Sequence, residues 1–190
     1  ECIIIDIKYD NVGVFDPDIR YWVEQPYLIS LLETNQIPVV HLIRENYLEL
    51  VLSNMIAARS KVWTAFREQD VKQVSISVDP LSVLKQMEKV STEIEAYRGW
   101  FNEINSSLEI IYESLFYDHK LKEYIHSLSN FVGIENLTFE AKHVKLVKDY
   151  REVIDNWEEL IDTVKNSRFG HLCRNYDSMD DSYLTSKISK

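Results

Sequence analysis

The sequence predicts an α/β fold with a mainly parallel central sheet, and two observations carry that prediction. Short apolar runs of strand character alternate along the chain with longer segments whose apolar residues recur every three or four positions. Turn and helix-start signals, above all Asp16-Pro17, Pro26, Asp79-Pro80 and Gly133, separate these runs.

Taken in order, residues 2–9 read as a strand in which Ile3, Ile4, Ile5 and Ile7 are interrupted by Asp6 and closed by Lys8. Alternation alone would turn Asp6 and Lys8 toward an edge. Residues 11–25 form a loop. Pro26 then opens a helix with Tyr27, Leu28, Leu31 and Leu32 on its buried face, ending near Asn35.

A buried strand follows at residues 37–43 and breaks at Arg44 and Glu45. The helix after it is expected to run to about Phe66, with a stripe of Leu48, Val51, Leu52, Met55, Ile56, the Arg59 stem and Val62. Residues 73–78 alternate as a half-buried strand. Asp79 and Pro80 start a long helix with a stripe of Leu81, Leu84, Met87, Val90, Ile94, Tyr97 and Phe101. A strand at residues 108–112 and a helix at 120–131 stopping at Gly133 complete the sheet-bearing part. Beyond Glu135 the chain loses sheet character. A helix at 153–164 turns Trp157, Leu160 and Val164 inward, and from Asn175 a polar tail is expected. The organisation is therefore one domain, residues 1–174, with a tail at 175–190.

Composition excludes several function classes. A net charge of −10 argues against a nucleic-acid surface, which needs clustered Lys and Arg. No run approaches 18 apolar residues, so no transmembrane segment is expected. Cys2 and Cys173 are too few for a disulfide framework, and the five histidines show no metal-ligand spacing. The four glycines write neither a GxGxxG nor a GxxxxGK[ST] phrase. The absence of a starting Met points to a fragment or a processed product, and the sparse cysteine and lack of a visible targeting segment favour the cytoplasm.

Candidate chemistry gathers after the strand at 37–43. Arg44, the first unpaired N–H groups of the following helix and Ser53 converge near one spot in the helical projection, with Asn46 and Ala57 on the same flank. A helix N-terminus and a guanidinium together suit a phosphate. The competing reading is plain: an Arg at a strand-to-helix junction is common in α/β proteins.

The phrase HLIREN-YLELVLS-NMIA resembles the 3′-phosphate-binding segment of PAPS-dependent sulfotransferases, in particular their carbohydrate and bacterial branch. LEIIYESLFYD with FVGI, and VIDNWEEL, resemble two further phrases of that family in the same order. The resemblance covers most of residues 5–172. It implies a three-layer fold, a mainly parallel central sheet flanked by helices, and transfer of a sulfuryl group from PAPS, as cosubstrate, to a hydroxyl of a carbohydrate or small-alcohol acceptor. It assigns Arg44, Ser53 and Asn46 to the 3′-phosphate, Lys145 and Lys148 of a basic segment to cofactor contact, and Lys8 to the sulfate. Asp10 stands near where the family carries its catalytic base, with His41 a weaker candidate inside a strand. The bland alternatives are a solvated face for the lysines, a core position for His41 and a capping role for Glu113. The family's 5′-phosphosulfate loop is expected upstream of Cys2. A second reading follows from its absence in these residues: a sulfotransferase-like binding module without turnover.

Overall fold

The computed structural model describes residues 5–8, 25–67, 74–116, 118–135, 137–138 and 145–177. These form an α/β protein whose named strands make a two-stranded parallel sheet. The chain divides into two compact units, each assembled from two separate segments: residues 1–45 with 88–141, and residues 46–87 with 142–190. Among the described residues no helix is long and apolar enough to cross a membrane.

In the first unit, β1 (Val39–Ile43) pairs in parallel with β2 (Ser107–Ile111), with His41 opposite Glu109 and Ile43 opposite Ile111. Helix α1 (Tyr27–Thr34) starts after Pro26, which occupies the cap position and was expected one residue further in. Leu28 and Ile29 of α1 join Tyr97 and Ile104 in a core cluster, with Ile7, Leu32, Val39, Trp100 and Phe101 against it. Tyr97 meets the Trp100 ring edge-on at 5.1 Å, a favoured geometry for aromatic quadrupoles. One face of the sheet is only partly covered: Val40 is 42% and Leu42 54% exposed. A 3-10 turn, Tyr112–Phe116, leads from β2 into α4 (Asp118–Val132). That helix ends at Gly133 with φ +67, the left-handed position that glycine takes without a Cβ penalty.

Helix α3 (Pro80–Asn102) starts where Asp79 accepts hydrogen bonds from the N–H groups of Leu81 and Ser82 at 3.3 and 3.2 Å. Its buried stripe is phased from Val83 through Met87, Ile94 and Tyr97, whereas Leu81, expected inside, is 69% exposed. Leu81 lies in the first turn, where the periodic pattern leaves two phases equally good and neighbouring structure decides.

In the second unit, α2 (Tyr47–Ser60) buries Leu48, Val51, Leu52, Ile56 and Ala57. It stops six residues earlier than periodicity suggested, because Lys61 adopts a left-handed conformation at φ 60. Arg59 is exposed, and Ala57 with Ser60 takes the inner face instead. Helix α5 (Trp157–Lys165) buries Trp157, Leu160, Ile161 and Val164. A 3-10 turn, Gly170–Cys173, and the four-residue α6 (Arg174–Asp177) follow, so the first residues of the expected tail are helical.

Two expected strands need correction. Residues 5–8 belong to no strand, and the remainder of the expected strand at 2–9 lies outside the described residues. Of the expected strand at 73–78, the described residues 74–78 contribute one isolated parallel bridge, Ile76 to Ile154. A strand exists only through its partner, and alternation in one segment does not supply one. At this bridge the Ile76 N–H donates to Val153 O and its carbonyl accepts from Asp155 N–H, both at 2.9 Å. The next rung is made by a side chain. Asn156 Oδ1 accepts from Val78 N–H at 3.0 Å, and Asn156 Nδ2 donates to Val78 O at 2.8 Å. The backbone turns helical at Trp157, so the Asn156 amide stands in for the peptide group that a continuing strand would have offered.

Candidate functional site

Parallel strands present their carboxyl ends together, and that edge is where open α/β sheets place their chemistry. In the first unit, this edge carries Arg44 and Glu45 after β1 and Tyr112 and Glu113 after β2. The Arg44 guanidinium lies 4.7 Å from the centroid of the Tyr112 ring. Its Nε is buried and makes no hydrogen bond among the described residues. The Glu113 carboxylate accepts from Glu45 N–H at 3.0 Å, the capping use expected of an acid at a strand end.

Beside this lies a second charged group. Arg98 donates from Nε and Nη2 to both oxygens of Glu109 at 2.9 Å, and from Nη2 to Glu45 at 2.7 Å. These hydrogen bonds, led by Glu109, hold the guanidinium protonated well beyond its ordinary range. His41 is buried, with Nδ1 3.5 Å from Glu109 and its ring 4.7 Å from that of Phe101. Burial pushes its pKa down; Glu109 opposes the shift and Arg98 adds to it. The imidazole lies in the interior, at the core position that the competing sequence reading gave it.

The second unit carries the start of α2. Asn46 is its N-cap: Oδ1 accepts from Glu49 N–H at 3.1 Å. Asn46 and Glu49 stand at the two positions of a capping box. The capping bond uses the acceptor atom of Asn46, while contact with an anion would use the amide donor. Ser53 lies two turns in and donates its hydroxyl to Leu50 O at 2.9 Å, so contact with an anion requires that hydrogen to turn away from its own helix. Glu49 is the hub of this region. Its Oε1 accepts from Tyr176 OH at 3.1 Å, its Oε2 from Lys145 Nζ at 3.2 Å, and its carbonyl from Tyr150 OH at 3.2 Å. The Tyr176 ring meets Trp157 at 5.0 Å, and burial, followed by the Glu49 charge, raises its hydroxyl pKa.

The sequence-derived residues are divided between the two units. Arg44 belongs to the first unit; Asn46, Ser53, Lys145 and Lys148 belong to the second. Lys148 is exposed. Lys8, in the first unit, is exposed and paired with Asp6 at 2.8 Å. Asp10 lies outside the described residues. Sequence reasoning missed Glu49, Arg98, Asn156 and Tyr176. Only Glu49 carried a local signal, the spacing Asn46-x-x-Glu49; the other three act through partners distant in sequence. No protein-family model, curated protein or solved structure matches the chain.

Proposed function

We propose that this chain is the 3′-phosphate-binding and acceptor-side part of a PAPS-dependent sulfotransferase, which transfers a sulfuryl group to an acceptor hydroxyl of a carbohydrate or small alcohol. The observation that supports the reading best is Arg44. A buried guanidinium nitrogen without a hydrogen-bond acceptor costs about 1–3 kcal/mol. A phosphate oxygen would remove that cost and take the bidentate fork of the same group. The position, at the carboxyl end of a parallel strand and braced on Tyr112, suits a residue that orients an anion.

PAPS would supply the activated sulfuryl group; the work of these residues is to fix its nucleotide end so that the reacting end is in line with the acceptor. Assignment of Ser53, Asn46, Lys145 and Lys148 to the cofactor, and of Lys8 and Asp10 to the transfer, comes from the sequence resemblance. The reading extends to the fold: β1 and β2 are taken as neighbouring strands of the larger central sheet of a three-layer fold, flanked by helices. Exposure of Val40 and Leu42 supports this, since parallel sheets are covered on both faces.

Calorimetric titration with adenosine 3′,5′-bisphosphate, against adenosine 5′-monophosphate, tests the proposal. The bisphosphate is expected to bind more tightly, and Arg44→Ala to lose about 1.5–3 kcal/mol of that affinity. Equal behaviour of the two nucleotides, or an Arg44→Ala variant that binds as the parent does, overturns it.

A further inference from the structure

We infer that Glu49 is an internal competitor for the anion in the second unit, holding Lys145 on its own carboxylate so that binding requires Lys145 to exchange partners. The inference rests on the proposed function, in which Lys145 is a phosphate contact. Its geometric basis is the unequal anchoring of the two charges.

Glu49 is tied at four points: its N–H to Asn46, its carbonyl to Tyr150, and its two carboxylate oxygens to Tyr176 and Lys145. Its side chain is 23% exposed. Lys145 is 54% exposed, and its ammonium also lies 5.7 Å from the centroid of the Tyr150 ring. The carboxylate is therefore the fixed partner and the ammonium the one able to leave. A carboxylate in the first turn of a helix enjoys the same favourable field as a phosphate would. Glu49 thus occupies, in charge, the role that the ligand would take over.

Glu49→Gln keeps the length of the side chain and an acceptor for Tyr176 while removing the charge. The parent and this variant, each as the full chain, are titrated with adenosine 3′,5′-bisphosphate, alone and in a Lys145→Ala background. Removal of an exposed ion pair predicts binding about two- to fivefold tighter in Glu49→Gln. Lys145→Ala is expected to weaken binding, and in that background the gain from Glu49→Gln should fall to less than half. Unchanged or weaker binding in Glu49→Gln, with its unfolding midpoint retained, overturns the inference; so does an equal gain with and without Lys145, which would mean general charge repulsion. If the Gln variant does not fold, Glu49→Asp, whose shorter side chain draws the carboxylate back from Lys145 while keeping an acceptor, serves instead: a smaller gain of the same sign is expected, and no gain overturns the inference. Binding by neither parent nor variant removes the proposed function and this inference with it, whereas binding by the parent without a gain in the variant removes this inference alone.

Discussion

Asn156→Ala is the substitution whose cost follows most directly from the structure. Asn156 occupies the N-cap position of α5 without making a capping hydrogen bond to that helix, so no cap is lost with its side chain. What is lost is the rung to Val78, which is buried at 5% exposure and whose N–H and carbonyl are both satisfied by the Asn156 amide. Ser77 Oγ, 3.3 Å from Asn156 Oδ1, loses a contact as well. Two backbone groups left unpaired at about 1–3 kcal/mol each, with some relief from water at the partly exposed end, give a destabilisation of about 2–4 kcal/mol. Asn156→Asp keeps the acceptor for Val78 N–H, loses the donor to Val78 O and turns a charge on that carbonyl, for about 1–3 kcal/mol. Urea denaturation reads both numbers as shifts in midpoint at constant slope. A loss below about 0.5 kcal/mol for Asn156→Ala, the size of an ordinary surface change, would refute the claim that this amide completes the ladder.

Two further outcomes are expected. His41 is held below its ordinary pKa chiefly by burial, so the unfolded chain binds more protons as pH falls. Stability should therefore be full above about pH 6.5 and decline as pH falls from there through the folded-state pKa. Urea midpoints across pH 5–8 should show this slope in the parent and a flatter one in His41→Gln; parallel curves would exclude His41 as its source. Gly170→Ala would set a Cβ 2.6 Å from the Lys165 carbonyl oxygen. That overlap with backbone should cost about 1–3 kcal/mol, measured by thermal or urea unfolding, and a neutral result would mean that the turn shifts freely.

How much of this was legible in the sequence depended on whether the determinant was local. Asp79 capping α3, Gly133 ending α4 and the inward Trp157 and Leu160 are set by residues a few positions apart, and the structure has them as the sequence implies. Of the expected strand at 73–78, the described residues make a single bridge because Ile76 finds its partner in Ile154, far along the chain, and nothing in QVSISV specifies how long such a pairing lasts. The end of α2 turned on one left-handed residue, Lys61, of a type that rarely signals a stop. At the candidate site, Arg44 stood out as a charge after an apolar run. Its buried Nε and its seat on Tyr112 are facts of tertiary structure. Glu49 was visible as a capping residue but not as a hub, since Lys145, Tyr150 and Tyr176 reach it from about a hundred or more positions away.

The interleaving of the two units in the chain has a consequence for biosynthesis. Both segments of the first unit have been made once the ribosome passes Ala141, when the second unit still lacks its later segment. The first segment of the second unit is made earlier yet must wait, since Ile154, Asn156 and Tyr176 are still unsynthesised. At about 5–20 residues per second that delay lasts seconds, during which Leu48, Val51, Leu52 and Ile56 lack their final cover. Slow elongation between Met87 and Tyr176 would therefore prolong the exposure of this segment, and it is the one that a chaperone would have reason to hold.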